Sequence, residues 1–239
     1  MYYSYIMRLL FIGILLFVIY MLFHCKCKYI EHYTDEHIKL SKNKVKELVT
    51  CMKRFSDLCD NNKLYYIISF GTLLGSVRHK GLIPWDDDID LIMYFKDMDQ
   101  IKNVLNKLSD MYGYKIYHEW KLSRIYIDDN IFIDIFYVQN NNNIIERCGI
   151  DDVGLCFVPD KIENWWHKWF NYPAKYMSKR ALYEFEGEQF YGPIEGKKLL
   201  EFWYGPDYME TCKTHYLKNH NEVVKQDNIK CYYEGSIMI

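Results

Sequence analysis

Four aspartates close one short stretch of this chain. Residues 69–90 read SFGTLLGSVRHKGLIPWDDDID, with acids at Asp86, Asp87, Asp88 and Asp90. Carboxylates this crowded raise one another's pKa unless a cation sits among them. A hard divalent ion such as Mg2+ or Mn2+ takes oxygen ligands and commonly shares them with substrate phosphates. The chemistry indicated is metal-assisted phosphoryl transfer. Alternation along the strand that follows puts Asp88 and Asp90 on one face and Ile89 and Leu91 on the other. Two strand rises then separate the acidic Cα atoms by about 7 Å.

Asp134 stands alone in the apolar run Ile131–Val138 (IFIDIFYV). A lone buried carboxylate is costly, so it needs a partner. A salt-bridged core acid and a metal ligand are both open readings. If its strand neighbours the first, Asp88, Asp90 and Asp134 converge as one catalytic and metal-binding group. Gly71 and Thr72 follow a strand and fit a phosphate-facing turn, where backbone N–H groups and a hydroxyl meet anionic oxygens at a helix start. Arg78 suits bidentate phosphate binding, and His79 beside it is a second substrate-binding candidate. Arg124, a charge on a predicted strand (LSRIYI), is a third. Asp134 and Asp86 compete for the role of general base.

These side chains need elements to place them. Val45, Leu48, Val49, Met52, Phe55 and Cys59 recur at helical steps, and Asn61-Asn62 breaks the pattern. Leu64–Phe70 reads as a buried strand, residues 72–77 as a short helix, and Ile89–Phe95 as a second strand. Asp97 is placed to cap a helix whose apolar face is Ile101, Val104, Leu105, Leu108 and Met111, with Gly113 ending it. Strands are predicted over 114–120, 122–127 and 131–138, and a loop over 140–143. The last hundred residues show less periodicity. Trp165, Trp166, Trp169 and Phe170 form an aromatic cluster read as packing, and residues 195–204 as a helix closed by Gly205 and Pro206.

The 239 residues are half hydrophobic and 18% aromatic, which excludes a disordered chain. A formal net charge of −2 argues against a broad nucleic-acid-binding face. Eight cysteines without a Cys-x-x-Cys pair argue against a zinc site; disulfides are possible, but spacing does not settle their pairing. Leu9–Phe23 runs 15 residues without a charge, and about 20 largely apolar residues span a bilayer. No small-residue cleavage site follows, so an uncleaved anchor over residues 1–28 and a catalytic domain over 29–239 are expected. Lys26 and Lys28 lean toward a cytosolic domain.

The stretch GTLLGSVRHKGLIPWDDDID closely resembles the signature of the LicD/fukutin family, which is similar to the polymerase-β-like nucleotidyltransferases. Gly71-Thr72, Asp88-Ile89-Asp90 and Asp134 match that superfamily's hallmarks. FEGEQFYGPIEGKKLLEFWYGPDYM, with Pro193 and Tyr204-Gly205, resembles the family's C-terminal block. The resemblance implies an α+β fold: a nucleotidyltransferase-like mixed sheet flanked by helices, here preceded by a transmembrane helix. It implies transfer of a phospho-alcohol, phosphocholine or ribitol phosphate, from a CDP-linked donor to a glycan hydroxyl. The membrane would be Golgi or ER if the layout follows the animal members. A pseudoenzyme or glycan-binding module of the same fold is the alternative. A nucleotidyltransferase acting on a small molecule or nucleic acid is disfavoured by the span and the net charge.

Overall fold

The computed structural model describes residues 40–83, 86–119, 122–150, 156–157, 169–209, 211–219 and 222–230. The predicted anchor, Trp165 and Trp166 lie outside them. Among the described residues no helix is long and apolar enough to cross a membrane.

The first helix, α1 (Lys42–Asn61), starts at Ser41, whose side chain accepts a hydrogen bond from Lys44 N–H, and buries Leu48, Val49, Cys51, Met52, Phe55 and Cys59. Strand β1 (Tyr66–Ile68) is shorter than the apolar run predicts, because the chain turns into helix α2 (Phe70–His79) at Phe70. Lys80 ends α2 in the left-handed conformation, φ 60°. Strand β2 (Asp88–Tyr94) follows, and then α3 (Met98–Tyr112). Asp97 occupies the N-cap position of α3, but its side chain makes no capping hydrogen bond. Gly113 closes α3 at φ 76°, as its lack of a Cβ permits. Met111, read as part of the buried stripe, is 61% exposed; the face turns into solvent at the last turn.

Strands β3 (Lys115–His118), β4 (Ser123–Asp128), β5 (Ile131–Asn141) and β6 (Ile144–Ile150) form the rest of the main sheet. The predicted loop over 140–143 shrinks to Asn142 and Asn143, both at positive φ, the backbone a two-residue hairpin turn requires. The strand order is β1-β2-β5-β4-β3. β2 and β5 run parallel, while β1 on β2, β4 on β5 and β3 on β4 are antiparallel. The eleven-residue β5 pairs with β2 on one edge. Its other edge takes β4 along the first half and β6 along the second. Two short strands, β7 (Cys156–Phe157) and β8 (Tyr172–Pro173), extend β6, and a disulfide joins Cys148 to Cys156. Cys51 and Cys59 are free and buried.

The last hundred residues are more regular than their sequence suggests. β9 (Arg180–Phe185) and β10 (Glu188–Pro193) form a hairpin around Glu186-Gly187, both at positive φ. Helix α4 (Gly196–Tyr204) follows and ends at Gly205. β11 (Thr211–Asn219) and β12 (Glu222–Lys230) pair with each other.

The connection from α2 back to β2 carries the first acids, and close backbone packing shapes it. A Cβ built on Gly75 would lie 2.4 Å from the carbonyl oxygen of Gly81 and 3.3 Å from Ile83. On the other side Glu186 accepts from Leu82 N–H at 2.9 Å, and Glu186 N–H donates to the Lys80 carbonyl at 2.7 Å. Gly75→Ala would push two backbones apart. It should lower stability by about 1–3 kcal/mol, the usual cost of forcing extra volume into a packed site, read as a shift of the urea midpoint.

Candidate active site

Because β2 and β5 are parallel neighbours, their acids fall into register. Asp90 pairs with Asp134, and Asp134 pairs on its other side with Arg124 of β4. Paired residues share a face of the sheet, so one row across three strands reads Asp90, Asp134, Arg124. The row beside it reads Asp88, Phe132, Tyr126. Carboxylate oxygens of Asp88, Asp90 and Asp134 all lie within 4.8 Å of one another. The same holds for Asp86, Asp87 and Asp88. The geometric condition set by the sequence, that Asp134 lie beside Asp88 and Asp90, is met.

Asp134 is only 5% exposed and is both a cluster member and an ion-paired core acid. The Arg124 guanidinium donates to it from Nε at 2.6 Å and from Nη2 at 2.7 Å, and lies 3.9 Å above the Phe132 ring. This bidentate bond holds the Arg124 pKa above its usual value. Arg124, expected to bind substrate, thus braces a carboxylate. The short alternating strand that carries it sits next to β5, a pairing that residue types do not reveal.

Gly71 and Thr72 also face the acids. The Gly71 N–H faces the Asp90 carboxylate and works to lower its pKa, and a Cβ on Gly71 would lie 3.7 Å from Asp90 Oδ2. A Cβ on Gly71 would lie 2.7 Å from Asp86 Oδ2, so only glycine leaves room for that carboxylate. Thr72 is 2% exposed, and its Oγ1 accepts from Asp90 N–H at 2.7 Å. That hydroxyl anchors the acidic strand. Ser69 N–H donates to the Asp90 carbonyl at 2.9 Å. Asp86 is held at the loop end by its own N–H, which donates to Ile83 O at 2.8 Å.

Arg78 reaches the backbone carbonyl of Tyr208 at 3.2 Å and His79 Nε2 at 3.3 Å. His79, expected at the phosphate, instead lines a separate cavity of about 690 Å³ with Lys46, Lys53, Leu82 and Glu186. It sits one position round the helix from Arg78, facing α1. Burial and then the Arg78 charge push its pKa down to about 4, so it is neutral at physiological pH. Tyr204, at the end of α4, was not singled out as a site residue. Its hydroxyl pKa is driven well up by burial, then by the charges of Asp90 and Asp86, with Arg78 opposing. The Tyr204-Gly205 block was the available signal.

Three hard oxygen donors within one ion's reach suit Mg2+ or Mn2+. The bidentate hold of Arg124 leaves further lone pairs on Asp134 for a ligand.

This architecture, an Asp-x-Asp strand beside a third acid in a mixed α+β domain, has the hallmarks of the nucleotidyltransferase type. Residues 63–195, more than half the chain, match the family described as LicD/FKTN/FKRP, nucleotidyltransferase domain, and the chain belongs to that family. An uncharacterized protein of Rickettsia prowazekii is 32% identical over 195 residues, covering 80% of this chain and 66% of its own length. The lipopolysaccharide cholinephosphotransferase LicD of Haemophilus influenzae is 46% identical over 50 residues, 21% of this chain and 19% of that protein. The chain spans less than two thirds of the length of either relative. Among solved structures, the lincomycin-bound lincosamide antibiotic adenylyltransferase LnuA aligns at 18% identity and TM-score 0.39, covering 70% of this chain and 87% of that one. Similarity at that level says nothing of function.

Burial, then the neighbouring acids, raise the pKa of Asp88 and of Asp90 well above the ordinary value. Both groups hold protons more tightly folded than unfolded. Their contribution to stability is therefore lost as pH rises from the unfolded carboxylate value, about 3.9, through the raised folded values. His79, with its depressed pKa, works in the opposite sense. Comparison with a variant separates the two. In the absence of metal, Asp88→Asn should melt higher than wild type, and the gap should widen as pH rises above about 4, followed by circular dichroism.

Proposed function

We propose that this LicD-family transferase domain is a metal-dependent phosphotransferase that moves a phospho-alcohol, of the phosphocholine or ribitol-phosphate type, from a CDP-linked donor to a glycan hydroxyl. The observation that carries this reading is the convergence of Asp88, Asp90 and Asp134 from parallel, in-register strands. The family and the cholinephosphotransferase relative support it. Mg2+ or Mn2+ held by these three carboxylates would supply charge neutralisation for a donor diphosphate.

The chain's own residues do the rest. The acceptor oxygen forms a bond to the distal phosphorus, the bond from that phosphorus to the bridging oxygen breaks, and CMP leaves with the electron pair. The hydroxyl proton needs a base. Asp134 is held as an anion by Arg124 at 2.6 and 2.7 Å, which makes it a weak proton acceptor. Asp86, half-buried at the loop end beside Gly71, is the better base. Arg78, which reaches the Tyr208 carbonyl, and Tyr204 at the end of α4 are the candidates to orient a donor phosphate or acceptor hydroxyl. A span over Leu9–Phe23 would hold the domain at a membrane.

Asp90→Asn removes one carboxylate with little change of shape. CMP release from CDP-choline or CDP-ribitol with Mg2+ and a glycan acceptor should fall by about three orders of magnitude, while the circular dichroism spectrum stays unchanged. Undiminished turnover would reject the assignment.

A further inference from the structure

We propose that Phe70 is a positioning residue for Asp90: its left-handed backbone, locked by a cage of aromatic rings, aims the Gly71 N–H at the acid. The importance of that aim for turnover rests on the proposed phosphotransferase reading. Residues 69–72 hold Asp90 by two hydrogen bonds, Ser69 N–H on its carbonyl and Thr72 Oγ1 on its N–H, and Gly71 lies against its carboxylate, where a Cβ would come 3.7 Å from Oδ2. Phe70 lies inside this clasp at φ 41°. A bulky L-residue avoids that region, and strain of this kind persists only where the surroundings over-determine it.

The surroundings do so. Phe70 is 8% exposed. Its ring meets Trp203 at 4.5 Å, Phe136 at 5.4 Å, Phe170 at 5.5 Å and Trp169 at 5.6 Å, the last three edge-on. Such ring pairs are favourable beyond their burial. With the ring fixed, the backbone cannot relax toward the ordinary helical φ, a rotation of roughly 100°. That rotation would swing the peptide plane between Phe70 and Gly71, and with it the Gly71 N–H, away from Asp90. All four cage members come from later in the chain: Phe136 from β5, Trp169 and Phe170 from the segment before β8, Trp203 from α4. Trp169 also meets Tyr204 at 5.4 Å, so the cage is continuous with the wall of the site.

Three variants of the full chain test this, with Mn2+ alone as the metal probe. Phe70→Leu removes the ring contacts, Phe70→Tyr keeps them, and Trp203→Leu opens the cage without touching Phe70. Loss of the cage should speed hydrogen exchange of the Gly71 amide at least tenfold and weaken Mn2+ binding at least fivefold. It should also lower kcat for CMP release, with the donor KM changed less than twofold. Phe70→Tyr should stay within twofold of wild type throughout. If Phe70→Leu fails to fold, Trp203→Leu gives the same readouts. Folded variants with unchanged Gly71 exchange and unchanged Mn2+ affinity overturn the proposal. Should wild type turn over no CDP-linked donor, the functional reading falls, and Gly71 exchange alone still decides the role of Phe70.

Discussion

Mutual repulsion among carboxylates is the constraint around which this domain is organised. Oxygens of Asp88, Asp90 and Asp134 lie within 4.8 Å of one another, in a setting that favours the protonated forms of Asp88 and Asp90. A chain folds around such a cluster only if other contacts hold it. The Asp134–Arg124 pair is one. Removing a single partner from a buried pair of this kind costs about 3–5 kcal/mol, because it strands the other charge. The clasp on Asp90 from Ser69 and Thr72 is another. Both fix an acid in place and leave further lone pairs on its carboxylate for a cation.

The supports of the acids come from distant parts of the chain. The loop from α2 to β2 is closed inward by Gly75 against Gly81 and outward by Glu186 at the tip of the β9–β10 hairpin. The cage around Phe70 draws on β5, the segment before β8 and α4. Strain at a position such as Phe70 costs about 1–3 kcal/mol. Four ring contacts at about 0.5–1.5 kcal/mol each exceed it. The C-terminal elements thus contribute to the acidic centre without providing any of its acids.

His79 and Arg124 illustrate how the surroundings of a candidate residue escape the sequence. Arg78 and His79 are consecutive on α2 and meet at 3.3 Å, Nε to Nε2, yet Arg78 also reaches the Tyr208 carbonyl while His79 lines a cavity against α1. Successive helical residues point about 100° apart, so a basic pair rarely serves one ligand. Arg124 was visible as an odd charge on a strand, but its target was not. Register across β4 and β5, set by pairing, turned a candidate phosphate ligand into the counter-ion of Asp134.

Several features were legible in the order of residues alone. The heptad-like spacing of α1 and α3, the Asp-x-Asp strand and its single exposed face, Gly113 and Gly205 as helix ends, and the family signature over residues 71–90 are all local patterns, governed by backbone periodicity and by which side chains tolerate water. Three things were decided only by the tertiary structure. Parallel pairing of β2 with β5 brings Asp134 to Asp90; the ring cage permits Phe70 its left-handed φ; and the β9–β10 tip braces the acid loop. Each joins segments tens of residues apart. Local propensity carries no record of such contacts, since their energy exists only once the chain has closed on itself.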